Sequence, residues 1–258
     1  MNNILIKVEN LVKTFGGLVA LNDCSLEIKD KALTGIIGPN GSGKTTLFNV
    51  ITGNLKPDTG KVFYNGVEIT NEESHDLFHL GVLRTFQIAH EFSNMTVIEN
   101  LMVVPGNQKG EKLLYSLMNS QKIKKEDELI KDKAMEVLKF LKIEHLKNER
   151  AGNLSGGQKK LLELARTMMV DAKIVFLDEV GAGVNKTLLR DISDSILKLN
   201  QDKGYTFCMI EHDFNFISEL CDPVIVLAEG SVLFKGSAEE VKSNEQVIES
   251  YLGKGLKK

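Results

Sequence analysis

Residues Gly38-Pro39-Asn40-Gly41-Ser42-Gly43-Lys44-Thr45 set glycines, a lysine and a hydroxyl in the spacing G-x-x-x-x-G-K-[ST]. That composition suits phosphate. Glycines let backbone N–H groups approach and wrap the oxygens, and a following helix adds its positive dipole end. Lys44 supplies a point charge to the β- and γ-phosphates of a nucleoside triphosphate, and the Thr45 hydroxyl can ligate Mg²⁺. Thr46 follows directly and is counted with the loop as a nucleotide-binding candidate. Such a loop by itself leaves kinases, GTPases and many ATPases open.

Two further segments narrow the chemistry. Ile174-Val175-Phe176-Leu177 is an apolar strand that ends in Asp178-Glu179, and α/β folds place ligands at the carboxyl ends of such strands. Asp178 is placed to hold Mg²⁺ through water, and Glu179 to polarise the water that attacks the γ-phosphate. Asn153-Leu154-Ser155-Gly156-Gly157-Gln158 precedes a helix with Leu161, Leu162, Ala165 and Met169 on one face. Ser155 and Gln158 have the S-x-x-Q spacing of a capping box. Two glycines in the first turn weaken a helix by up to ~1 kcal/mol each. Packing alone does not account for that cost, whereas close approach of a phosphate to the backbone does.

The elements that must position these groups alternate in type. Leu33-Thr34-Gly35-Ile36-Ile37 reads as a strand that enters the glycine-rich turn, followed by a helix over 44–52 with Gly53 at its C-terminal end. Leu5, Lys7 and Glu9 alternate with apolar neighbours, and residues 62–69 form a hairpin around Asn65-Gly66. Residues 107–150 are rich in Lys and Glu with Ala134, Leu138 and Leu141 at helical spacing, a helical subdomain with a solvated face. From residue 155 the pattern predicts a helix, a strand over 173–177, a helix over 186–200, a strand over 205–210, a helix, and a strand over 223–228. Alternation of this kind argues for an α/β core with a largely parallel sheet.

Composition removes several classes. The 258 residues are 42% hydrophobic and 26% charged, ordinary for a globular chain. Lys plus Arg (32) against Asp plus Glu (35) leaves a net charge of −3, so no basic field invites nucleic acid. No apolar run approaches the roughly 20 residues of a membrane span, and the N-terminus lacks an export signal. Cys24, Cys208 and Cys221 stand far apart in sequence and read as buried thiols in a reducing compartment. The expectation is a soluble cytoplasmic protein.

In this order the glycine-rich loop, Leu154-Ser155-Gly156-Gly157-Gln158 and Asp178-Glu179 resemble the ATP-binding cassette (ABC) family, and the likeness covers essentially the whole chain. The resemblance implies a P-loop NTPase core with a mixed, mostly parallel sheet, an N-terminal antiparallel β subdomain and an inserted α-helical subdomain. The expected organisation is one ABC ATPase domain over 1–258, with 1–86 and 160–258 in the core and 88–159 in the helical subdomain. It also implies roles. Residues 154–158 would bind the γ-phosphate of ATP held by the other subunit of a head-to-tail dimer. Gln87, in Arg84-Thr85-Phe86-Gln87, matches the glutamine that senses Mg²⁺ and the attacking water. His212, in Glu211-His212-Asp213, matches the switch histidine on the γ-phosphate, and Phe15 matches the aromatic that stacks on adenine.

Residues 15–23, 95–100, 151–154 and 247–253 are similar to the ATP-binding subunits of branched-chain amino acid importers. That implies ATP and Mg²⁺ as cofactors and a dimer formed with itself or a paralogous subunit. It further implies separate integral-membrane permease chains, a separate solute receptor, and a peripheral position on the inner face of the membrane. Importers of urea or amides, and non-transport cassettes such as iron–sulfur assembly ATPases, are the alternatives. Residues 88–105 hold Phe92, Met95, Val97, Leu101, Met102 and Val103. In a lone ATPase all of these would be buried, whereas in the importer group some would line a cleft for a coupling helix of the permease. Val180 stands where the family usually has proline, and Asn185 where many cassettes have Asp.

Overall fold

In a computed structural model, residues 3–85, 91–106, 108 and 120–252 are described, so Gln87 lies outside the described residues. The chain forms two compact units, one of residues 1–87, 173–182 and 196–258, the other of residues 88–172 and 183–195. The helical unit therefore runs past the boundary expected at 159/160. That boundary would have cut the helix following Ser155, whose apolar face instead stays with the helices before it. Residues 183–195 join the same unit.

The first unit opens on β1 (Ile4–Phe15) and β2 (Leu18–Lys29), an antiparallel pair joined at Gly16-Gly17. Ile6 and Val8 of β1 are buried and Lys7 and Glu9 are not, as the alternation requires. β3 (Leu33–Ile37) is buried at every position, as expected of a strand covered on both faces. It feeds the glycine loop and then α1 (Lys44–Ile51). That helix stops where Gly53 adopts φ +71°. The Gly53 N–H donates to Val50 O at 3.2 Å and the Asn54 N–H to Asn49 O at 2.9 Å, the paired closure of a Schellman motif.

β4 (Thr59–Tyr64) and β5 (Val67–Glu68) form the expected hairpin, with Asn65 and Gly66 both at positive φ. After α2 (Ser74–His79) comes β6 (Val82–Arg84). The second unit then holds α3 (Val97–Met102), α4 (Ser120–Phe140), α5 (Gly156–Met168) and residues up to 195 of a later helix. Ala134, Leu138 and Leu141 are buried there, the face read from their spacing.

β7 (Ile174–Asp178), α6 (Lys186–Lys203), β8 (Thr206–Ile210), α7 (Phe214–Leu220) and β9 (Val224–Ala228) follow the expected alternation to within a few residues. β10 (Ser231–Gly236), α8 (Ala238–Ser243) and α9 (Glu245–Leu252) complete the chain's described elements. The strands form two sheets in the first unit, in the orders β2-β1-β4-β5 and β10-β9-β3-β8-β7-β6. The second is parallel apart from the β9/β10 pair. All three cysteines are free and buried, and burial pushes the Cys24 thiol up to about 12. Among the described residues no helix is long and apolar enough to cross a membrane.

Phe48 of α1 meets Phe176 of β7 edge to face, ring centroids 4.9 Å apart, and both are fully buried. This contact seats the helix behind the glycine loop on the strand that ends in Asp178. Phe48→Ala is expected to cost about 3–5 kcal/mol in urea or guanidinium unfolding. A cost under about 1 kcal/mol would mean the pair is not a structural anchor.

Candidate nucleotide site

The glycine loop is held by backbone contacts that exclude side chains. A Cβ on Gly38 (φ +154°) would lie 2.1 Å from Leu227 O, and one on Gly43 (φ +98°) 2.4 Å from Ala20 O. Glycine is thus required by the sheet behind the loop as well as by any phosphate before it. At Gly41 nothing stands within 4 Å of an added Cβ, which marks the open side of the loop. Lys44 is buried, and its Nζ donates to Gly38 O at 2.8 Å, Pro39 O at 3.0 Å and Ser42 Oγ at 3.4 Å. Burial pulls the Lys44 amine below its ordinary value, and the charges of Glu179 and Asp178 work against that pull. An amine caged by carbonyls inside a glycine cradle fits the phosphates of a nucleotide, since an arriving anion repays its lost hydration. Thr45 is exposed and Thr46 half-buried in the first turn of α1.

The acidic residues emerge from the next strands. Asp178 ends β7 and pairs with Arg84 of β6, Nη2 to Oδ2 at 2.7 Å, with both side chains almost wholly buried. Arg84 also donates to Asn49 Oδ1 and lies 5.8 Å from the Phe48 ring centroid. The Asp178 carboxylate and the Thr45 hydroxyl are hard oxygen donors of the kind Mg²⁺ takes. Glu179 sits at φ +50° in the left-handed region, and its N–H donates to Ile210 O at 2.9 Å. Its Oε1 lies 2.8 Å from His212 Nε2. Glu211, buried beneath them, accepts the Gly181 N–H at 2.8 Å. Burial raises the Glu211 carboxyl, the Gly181 N–H opposes the rise and the nearby charge of Glu179 adds to it.

Phe15 ends β1 half exposed, with the residue 49% accessible, as a platform for a flat base would need. Asp58 clamps the backbone just before it. One Asp58 oxygen takes Lys13 Nζ at 2.7 Å, and the other takes the Thr14 N–H and Oγ1, each at 2.7 Å.

In the second unit Ser155 and Gln158 close the capping box in both directions, the Ser155 N–H reaching Gln158 Oε1 at 2.9 Å. Leu154 is buried beside it. Gly156 faces open space, but a Cβ on Gly157 would fall 2.2 Å from Leu188 Cδ2 and 3.2 Å from Val184 Cγ1. Gly157 is buried against the Leu188 and Val184 side chains, whereas Gly156 is exposed. Lys159 in the next turn pairs with Glu91 at 2.6 Å.

Comparison with known proteins decides the family. The ABC transporter family matches residues 21–182, and the branched-chain amino acid ATP-binding cassette transporter family matches residues 231–257. The chain belongs to the ABC transporter ATP-binding cassettes. It is 43% identical over 249 residues to a protein of Archaeoglobus fulgidus named as a probable branched-chain amino acid transport ATP-binding protein, LivG, with 96% of this chain and 95% of that one covered. The Escherichia coli high-affinity LivG is 34% identical over 253 residues, covering 98% of this chain and 99% of that one. Among solved structures, a nucleotide-free ATP-binding cassette from an ABC transporter superposes with TM-score 0.83 at 41% identity, covering 96% and 98% of the two chains. A dimeric cassette bound to ADP and phosphate does so with TM-score 0.75 at 25% identity, covering 91% and 99%. The chain is thus an ATPase coupled to transport.

In this cassette the first unit brings together the loop 38–46, Asp178, Glu179 and His212. Phe15 lies on the same unit at the end of the antiparallel hairpin, and 154–158 belong to the other unit. Arg84, Asp58 and Glu211 are site-shaping residues that spacing did not single out. Arg84 and Glu211 were visible as charges inside otherwise apolar strand ends.

The Asp58 clamp carries a pH signature. Its bonds to Lys13 and Thr14 hold the carboxyl down at about 2 in the folded chain. A depressed carboxyl contributes stability above its unfolded value, near 4, and loses it as pH falls through the folded value. Melting temperatures of wild type and Asp58→Asn are expected to differ at neutral pH and to converge between about pH 4 and 2. A constant gap across that range would show that the ionised carboxylate is not what holds the Phe15 strand end.

Proposed function

We propose that this cassette powers an importer of branched-chain amino acids, docked on integral-membrane permease chains at the inner face of the membrane. Support comes from relatives that carry that name along their whole length and from the match of residues 231–257 to the same transporter group. A separate receptor would bind the solute. The working unit would be a head-to-tail ATP sandwich of two cassettes, identical or paralogous.

In this reading Phe15 stacks on adenine, the N–H groups of residues 38–46 cradle the phosphates, and Lys44 turns its amine from the loop carbonyls onto the β- and γ-oxygens. Thr45, Asp178 and Gln87 would hold Mg²⁺, which when bound draws charge from the transferring phosphoryl group. Glu179 orients a water and takes its proton as the water oxygen bonds to the γ-phosphorus and the bond to the β–γ bridging oxygen breaks. His212, already on Glu179 Oε1, holds the carboxylate toward the γ-phosphate. Leu154, Ser155, Gly156, Gly157 and Gln158 of the partner cassette close over the same phosphate, with Gly156 offering its backbone and the capping box fixing the turn.

Two measurements test it. Glu179→Gln keeps size and hydrogen bonding and removes the base, so ATP hydrolysis should fall by about 10²–10⁴-fold while ATP binding persists and an ATP-bound dimer accumulates on size exclusion. Near-normal turnover would remove Glu179 from its role. At the permease face Val97 and Leu101 are fully buried whereas Phe92 and Val103 stand exposed, at 50% and 43%. The backbone under Phe92 is tied by Asn100, whose Oδ1 accepts the Phe92 N–H at 2.8 Å and whose Nδ2 reaches Phe92 O at 3.1 Å. Phe92→Asp is therefore expected to leave solution ATPase at the wild-type level and to abolish solute uptake. Equal loss of both would indicate a folding defect and end the docking assignment.

A further inference from the structure

We propose that Glu211 is a positioning residue for Glu179, acting through the Gly181 backbone N–H. The inference rests on the catalytic reading of Glu179 and concerns how that side chain is held.

Glu179 needs holding. Its φ of +50° puts a non-glycine residue in the left-handed region, which persists only where the surroundings over-determine it. The surroundings here come from β8 and the two residues that follow it. The Glu179 N–H is tied to Ile210 O at 2.9 Å, and its side-chain Oε1 to His212 Nε2 at 2.8 Å. Between those two attachments stands Glu211. Its Oε1 accepts the N–H of Gly181, two residues beyond Glu179, at 2.8 Å. One buried side chain thus bonds the backbone just beyond the catalytic carboxylate, and it directly precedes in sequence the histidine that touches that carboxylate. The consecutive residues Ile210, Glu211 and His212 grip the chain around Glu179 by backbone carbonyl, carboxylate and imidazole. The Ala182 N–H closes the turn onto Glu179 O at 3.2 Å.

A carboxylate is an expensive choice for a position only 5% exposed. An apolar residue would fill the space without that cost but would leave the Gly181 N–H without its acceptor. A shorter acceptor would fall about one methylene short of it. Reach and acceptor capacity are the two properties of Glu that this position uses, and both bear on where the Glu179 carboxylate points. The charge itself is not required for the bond, which sets up the test.

The experiment uses steady-state ATP hydrolysis and ATP binding by the purified full chain for Glu211→Gln, Glu211→Asp, Glu211→Ala and Glu179→Gln, with folding followed by thermal melts. Gln keeps an acceptor at full reach, so Glu211→Gln should hold kcat within about threefold of wild type. Asp and Ala lose the contact, so both should lose kcat by about tenfold or more with KM for ATP unchanged, since misplacing a reacting group by 1 Å costs up to about a hundredfold. If Glu211→Ala fails to fold, the Gln and Asp pair reads the same contrast. Wild-type kcat in Glu211→Asp or Glu211→Ala overturns the proposal, as does an equal loss in Gln and Asp, or a loss carried by KM. Glu179→Gln separates the two readings. If it still turns over ATP, the catalytic assignment fails, whereas an inactive Glu179→Gln beside a fully active Glu211→Asp sinks only the positioning role.

Discussion

The glycine loop, Asp178, Glu179 and His212 depend on the register of three adjacent parallel strands. Ile36 pairs with Ile210 and Asp178 pairs with the same Ile210, so β3, β8 and β7 reach their carboxyl ends at one level. Directly beyond that level come the glycine loop, Glu211-His212 and Glu179. The strands are buried at every position, so their register is set by packing on both faces. A slip of one residue would exchange the two faces of the strand concerned and move Asp178 or His212 by more than 3 Å. No side-chain contact within the site could restore the arrangement after such a slip.

Given that register, each charged group is held by a partner that also limits it. Lys44 is folded back on the loop carbonyls, and Asp178 is tied to Arg84. Breaking a buried pair by removing one partner costs about 3–5 kcal/mol because the other charge is left uncompensated. Arg84 is thus a structural necessity once Asp178 is buried, and it also ties β6 to α1 through Asn49. The same logic applies at the rim in weaker form, where Asp58 collects a cation, a hydroxyl and an N–H just before Phe15. These pairs leave the site's acids and its lysine in set positions before any nucleotide arrives.

Much of this was legible from local signals because those signals are short-range physics. The glycine loop between strand and helix, the Asn65-Gly66 hairpin, the Gly53 helix stop and the Ser155/Gln158 cap each depend on a few consecutive residues, and each is found in place. What was not legible depends on distant partners. The Leu188 side chain that packs on Gly157 lies 31 positions away in sequence, beyond the reach of any local signal. Where the helical unit ends depends on which neighbours the apolar face of the capped helix meets, and a capping box does not specify those. Arg84, Asp58 and Glu211 carry no motif, since their partners are set by strand pairing and loop closure.

Val180 shows how such long-range contacts can stand in for a local constraint. A proline at 180 would disfavour helical backbone at the residue before it and push Glu179 toward an extended conformation. Valine imposes no such restriction, and Glu179 occupies the left-handed region instead. With the ring absent, the conformation must be held from outside the local chain. The bonds available are the Ile210 carbonyl on the Glu179 N–H and the Glu211 carboxylate on the Gly181 N–H. Val180 itself contributes by burial, at 5% exposed, which fixes the direction of the loop without dictating its torsions. The rigidity that a pyrrolidine ring builds into one residue is here distributed over β8, and the position of the Glu179 carboxylate is correspondingly tied to the strand that also delivers His212.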